Sequence, residues 1–241
     1  MKEKKCRFYC YRKTREPNRF KTNETEKIEL VIFDMDGVLT DIISSWKYIH
    51  DYFNTSNDRS VNDYLQGKID DEEFIKRDAD LWQENGKPVK REKIVEILSD
   101  VHLMRGAEKC ISFLQDNRIK TAIISAGLDI LAERVAEELG IDYVYSNGIK
   151  TDEKGYLNGD AIVGVRLIYK EETVEKLANQ LNIPFERIAA VGNSCFDIPM
   201  FEIAGLGIAF NPEDECVKEA ADIIVENKDV SSIITVLEEY I

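Results

Sequence analysis

Two carboxylates one residue apart, in Phe33-Asp34-Met35-Asp36-Gly37-Val38-Leu39-Thr40-Asp41, are the first residues in the chain equipped for chemistry. They follow an apolar run, Ile28 to Phe33, of the kind a fully buried strand makes. Side chains two apart on an extended segment face the same way, so Asp34 and Asp36 converge. Carboxylates that close need a cation or a shared proton. Gly37 lets the backbone turn beside them. An aspartate-rich turn ending a strand is the plain structural alternative.

Three more sites follow. Ile123-Ile124-Ser125-Ala126-Gly127 offers a hydroxyl and a permissive glycine opening a helix, whose N-terminal N–H groups bind anions. Lys170 begins another helix, a cation set against the dipole and so misplaced for stability. Val191-Gly192-Asn193-Ser194-Cys195-Phe196-Asp197 puts an amide and a further carboxylate behind a buried strand. Oxygen ligands beside a phosphate are what a hard Mg2+ ion prefers.

These residues need elements to carry them. The pattern predicts a helix near 106–117, a strand over Thr121–Ile124 and a helix through Leu128–Leu139 closed by Gly140. A β-excursion over 146–164, a helix near 171–181, and strands at Ile188–Val191, Leu206–Phe210 and Ile223–Val225 come next. Strands alternating with helices predict an α/β fold with a Rossmann-like parallel sheet flanked by helices. Residues 41–104 read as a polar, helix-rich insert after the first strand, with turn signals at Asn54–Asp58 and at Asn85-Gly86-Lys87-Pro88. The chain thus divides into a core of 28–40 and 105–241, a small helical cap of 41–104, and a flexible basic tail of 1–27.

That tail holds ten Lys or Arg against four Glu, net +6, on a 241-residue chain of net charge −14. The body is therefore strongly acidic, which disfavours nucleic acid and anionic lipid as its partners. No apolar run is long enough for a membrane span, and the charged start lacks the apolar stretch of a secretory signal, so the chain reads as cytoplasmic. Its five cysteines are odd in number and irregularly spaced, unlike a disulfide framework, and Cys6, Cys10 and Cys195 lack a fourth zinc ligand. His50 and His102 are isolated and expected on exposed helix positions.

Taken in order, D-x-D-G-x-x-T, S-x-G, Lys and G-N-x-x-x-D-x-x-M resemble the haloacid dehalogenase superfamily, in its archaeal-type phosphoserine phosphatase-like branch. The resemblance covers about 28–241. It implies an Mg2+-dependent phosphomonoester hydrolase of small phosphorylated metabolites. Asp34 is then the nucleophile that forms an aspartyl-phosphate, and Asp36 the acid and base. Ser125, Gly127, Lys170 and Gly37 hold the phosphoryl group, and Asp34, Asp36, Asn193 and Asp197 make up the metal site, with Asp197 orienting it. Two departures stand out. The family usually has aspartate where this chain has Asn193, which implies weaker metal binding. The glutamate usual in the cap has no counterpart in Ile42-Ile43-Ser44-Ser45-Trp46, and Lys76 and Arg77 are the nearest candidates to grip a substrate carboxylate. Trp46, His50, Arg59, Arg77 and Trp82 are candidate leaving-group contacts. The alternative is a weakly active or inactive regulatory protein of the same fold that binds a phosphate or metabolite.

Overall fold

The computed structural model describes residues 27–241, so the basic tail up to residue 26 lies outside the described residues, Cys6 and Cys10 with it. Seven strands form one sheet in the order β6-β5-β4-β1-β7-β8-β9: Leu157–Val163, Tyr143–Thr151, Lys120–Leu128, Leu30–Phe33, Ile188–Gly192, Leu206–Phe210 and Ile223–Val225. All neighbours run parallel except β5 and β6, the antiparallel excursion expected from the glycines at 146–164. The α/β expectation holds.

Alternation along β1 shows why it is central. Val31 and Phe33 face one apolar layer, Leu30 and Ile32 the other, and all four are fully buried. A strand covered by helices on both faces needs such an unbroken apolar run. Chain connections leave β1 toward β4 and leave β7 toward β8, so they diverge between β1 and β7. Crevices beyond the carboxyl ends of strands at such a switch point are where open α/β sheets bind ligands.

The segment after β1 carries helices α1 (Ser45–Tyr52), α2 (Asp58–Leu65), α3 (Asp71–Asp80) and α4 (Arg91–Leu98). Ser44 caps α1 by accepting from Lys47 N at 3.3 Å, and Asp70 caps α3 by accepting from Glu73 N at 2.9 Å. The expected turn at 85–88 is part of a small hairpin, β2 (Gln83–Glu84) against β3 (Lys87–Pro88). Asn85 and Gly86 turn its corner with φ of 51° and 73°, which suits Asn-Gly.

The excursion leaves and rejoins the sheet through a narrow neck. Asp41 N donates to His102 O at 3.1 Å, and Met104 N donates to Leu39 O at 2.7 Å. Above the neck it does not keep a separate interior: Ile49, Ile75, Trp82 and Ile94 belong to the same apolar cluster as Val31 and Phe33. Cap burial thus adds to the sheet's own hydrophobic stabilisation.

Candidate active site

Beyond Phe33 the chain stays tied to β7, because Asp34 N donates to Val191 O at 2.9 Å. Asp34 and the Asn193–Asp197 turn are thereby brought together at the switch point. Lys170, the first residue of α7 (Lys170–Leu181), enters from a third direction and is only 2% exposed. Its Nζ lies 2.6 Å from Asp197 Oδ1 and 3.0 Å from Asp34 Oδ1. Burial pushes the Lys170 ammonium down, the Asp197 and Asp34 carboxylates pull it up, and the carboxylates win, so it stays charged. The cation that looked misplaced on its helix is matched by two anions in space.

Burial, and then the charge of Asp197, push the Asp34 carboxyl well above its ordinary range, while Lys170 and a hydrogen bond from Ser125 hold it back. Ser125 is 2% exposed and its Oγ accepts from Gly127 N at 3.1 Å. The strand after helix α5 (Ala107–Asp116) does not end at Ser125, as expected, but continues irregularly to Leu128 before helix α6 (Asp129–Leu139). Gly127 is needed for closeness: a Cβ there would sit 2.6 Å from Met35 Cε and 2.9 Å from both Asp36 Oδ2 and Ser45 Oγ.

Asp36 is held by the cap. Ser45 N and Ser45 Oγ both donate to Asp36 Oδ2 at 2.8 Å, and Ser45 Oγ accepts from Leu128 N at 2.9 Å. Burial raises the Asp36 carboxyl to about 6 and the Ser45 hydrogen bonds restrain the rise. An acid poised near neutrality suits proton transfer in both directions.

Gly37 has φ +76°, and a Cβ on it would collide with the Asn193 amide. Its own N–H is taken by Thr40 O at 3.1 Å, so Gly37 contributes space for Asn193 rather than an anion donor. Asn193 Nδ2 donates to Glu213 Oε1 at 3.4 Å, and Glu213 N donates to Asn193 O at 2.8 Å. Glu213, which sequence reasoning passed over, therefore orients the amide and leaves Oδ1, its only possible ligand atom, on the other branch. Asp197 is an orienting group too: Oδ1 meets Lys170, and Oδ2 accepts from Asn193 N at 2.9 Å and Ser194 N at 3.0 Å.

Among the described residues no three His, Cys, Asp or Glu side chains form a ready metal cage. The donors at this site are instead mixed, and all are oxygen: carboxylates, an amide and main-chain carbonyls. Asp36 Oδ1 is buried with no partner, and the site holds three buried aspartates against one lysine. A hard divalent cation fits that donor set and that charge imbalance.

The model of the haloacid dehalogenase-like hydrolases matches residues 28–205. The chain belongs to this family. Within it the hydrolase sits in the phosphoserine phosphatase-like branch. It is 32% identical over 227 residues to a phosphoserine phosphatase of Archaeoglobus fulgidus, covering 91% of this chain and 62% of that relative's length. It is 29% identical over 211 residues to the one from Methanocaldococcus jannaschii, covering 87% of this chain and 97% of the other. A solved structure of a phospho-aspartyl intermediate analogue of phosphoserine phosphatase superposes with TM-score 0.74 at 29% identity, covering 88% of this chain and 99% of that one. No described helix of the hydrolase is long and apolar enough to cross a membrane.

Around the four motifs lies a cavity of about 300 Å³, lined by Asp34, Asp36, Ser125, Gly127, Lys170 and Asn193. Of the cap candidates only Trp46 reaches its wall, with its Nε1 donating to Ala126 O at 2.9 Å. His50 is 2% exposed rather than solvated, its Nδ1 accepting from Trp82 Nε1 at 3.1 Å. Since an indole N–H only donates, Nδ1 is the acceptor in that pair. His102 is exposed, but in the neck rather than on a helix. Arg59 and Lys76 point to solvent, and Arg77 is spent on Glu73 and Asp63 at 2.7 and 3.1 Å. Sequence reasoning also missed Asn147, whose amide accepts from Gly164 N and Val165 N and donates to Val165 O, clamping the loop that delivers Lys170. Its only signal was the Ser146–Gly148 turn composition.

Proposed function

We propose that the chain is a phosphatase: an Mg2+-dependent hydrolase of small phosphomonoesters that works through an aspartyl-phosphate on Asp34. The observation that carries this is Lys170 spanning Asp34 and Asp197 at 3.0 and 2.6 Å, fully buried, with Asp36 and Ser125 in the same cavity. That arrangement supplies a nucleophile, a fixed cation, an acid–base group and a hydroxyl donor where a phosphoryl group enters. The relatives named phosphoserine phosphatase support the same reading.

Asp34 attacks phosphorus in line with the ester oxygen, forming the P–O bond to its carboxylate as the bond to the alcohol breaks. Asp36, protonated, gives its proton to the departing alkoxide. Deprotonated, it then takes a proton from the water that attacks the acyl phosphate, releasing phosphate and restoring Asp34. Lys170 and Ser125 bind phosphoryl oxygens and offset charge that builds in the transition state. Asp34, the Asp36 carbonyl and Asn193 would hold Mg2+, with Asp197 keeping the turn in place. When bound, the ion neutralises phosphoryl charge beside the nucleophile. Residues 41–104 form the cap over this chemistry.

Phosphate release from a panel of phosphomonoesters, with and without Mg2+, tests the proposal. Metal-dependent turnover that is lost in Asp34→Asn is the expected result. Absence of turnover across the panel at tens of millimolar Mg2+ overturns it.

A further inference from the structure

Away from Asp34 the cavity changes character. Trp46, Val61, Leu65, Phe74, Leu167 and Phe196 contribute apolar surface to its lining. Lys47 is the sole cation there besides Lys170, and it is 61% exposed and paired with Asp51 at 2.6 Å. No arginine reaches the lining. Two carboxyls do. Asp71 is satisfied, accepting from Tyr64 Oη at 2.9 Å and Leu167 N at 3.0 Å. Asp78 is not: Oδ2 accepts from Asn57 Nδ2 at 2.7 Å and faces His50 Nε2 at 3.3 Å, but Oδ1 is buried without a partner. His50 turns only its Nε2 toward that carboxyl, because its Nδ1 is engaged with Trp82 Nε1. A buried carboxyl oxygen left unpaired costs free energy until a donor meets it, and Asp78 is part of the cavity lining.

We propose that the leaving-group alcohol has an apolar body, carries no carboxylate, and presents an ammonium or similar hydrogen-bond donor to Asp78. This rests on the phosphatase reading of the same cavity. A carboxylate on the substrate would meet aspartates and apolar side chains with no free cation to receive it, and burying an unpaired charge is far costlier than leaving it in water. An aromatic or branched body instead gains from displacing water off the far wall. Phosphoserine, the substrate in the names of the relatives, thus matches this cavity poorly despite the shared fold.

The test uses three alkyl esters of similar leaving-group chemistry: O-phosphoserine, benzyl phosphate and the phosphate ester of phenylalaninol, which joins an apolar ring to an amine. Expected kcat/KM is highest for phenylalaninol phosphate, with phosphoserine at least tenfold lower. Asp78→Asn should cost the amine-bearing ester about tenfold while leaving benzyl phosphate within twofold, which also shows that the cap is folded. Binding of the three esters to the Asp34→Asn protein, by calorimetry, should follow the same order without turnover. Phosphoserine binding as tightly as phenylalaninol phosphate overturns the substrate assignment. The expected binding order without turnover in the parent overturns the phosphatase reading alone.

Discussion

Ser45 gives Asp36 two hydrogen bonds to one carboxylate oxygen, from its backbone N and its Oγ, both at 2.8 Å. The other oxygen has none. The first residue of the cap's first helix therefore sets the proton affinity of the acid below it, and a carboxyl beside a helix N-terminus is further favoured as the anion.

Ser45→Ala removes the hydroxyl but keeps the N–H. The lost hydrogen bond had held the Asp36 carboxyl down, so its pKa climbs from about 6. Water activation needs the deprotonated form, so the acid limb of the kcat profile moves to higher pH. Activity at pH 6.5 should drop about tenfold, within the range of general-base effects, with a smaller loss at pH 8. A pH–rate profile from 5 to 9 checks this; a uniform loss at every pH would mean that Ser45 only packs.

Lys170→Met leaves Asp34 and Asp197 buried and uncompensated. Breaking a buried pair from one side costs about 3 kcal/mol or more, and here two acids lose their partner. Urea unfolding should show that loss, alongside abolished phosphate release. Lys170→Arg should recover stability better than turnover, because a planar fork does not fit where a compact ammonium sits.

Asn193→Asp places a carboxylate against Glu213, whose own carboxyl is already raised by burial and by Asp197, Asp214 and Asp34. Without divalent ions the variant should melt several degrees below the parent. Added Mg2+ should reverse the order, with the ion bound about tenfold more tightly by calorimetry. Pairing it with Glu213→Gln should remove the metal-free penalty and keep the tighter binding.

Stability of the metal-free protein should also carry the signature of Asp36. Its folded pKa lies above its unfolded value of 3.8, so the folded state holds a proton that the unfolded state has released. That contribution is neutral below about pH 4 and turns destabilising as pH rises toward about 6. The displacement corresponds to about 3 kcal/mol at full ionisation. Asp36→Asn should therefore gain on the parent as pH rises from 4 to 7.5, read as a widening difference in Tm. A difference that does not change with pH would remove Asp36 as the titrating group.

The sheet and the four motifs at its strand ends were readable in the sequence because each depends on local order. An apolar run such as Leu30–Phe33 has to be a covered strand, and polar residues just beyond it must lie at the strand's end. Glu213, Asp78 and Ser45 gave no such signal. Glu213 acts only because β8 lies beside β7, and Asp78 only because α3 folds back over the cavity. Ser45 looked like an ordinary helix start until the chain placed it over Asp36. His50 was misjudged for the same reason: an isolated histidine looks solvated until Trp82 and Asp78, far along the chain, close around it. Lys170 was the instructive intermediate case, since its conflict with the local helix dipole was visible but the two anions that resolve it were not.

The pinned neck has a consequence for traffic through the site. Asp41–His102 and Leu39–Met104 fasten both sides of the insert's base, and Ile49, Trp82 and Ile94 root its inner helices in the sheet's interior. A roof anchored this way does not swing aside as a door. The least buried helix of that roof is α2, which buries only Ser60 and Tyr64 and yet contributes Val61 and Leu65 to the chamber wall, so the wall there rests on one lightly anchored helix.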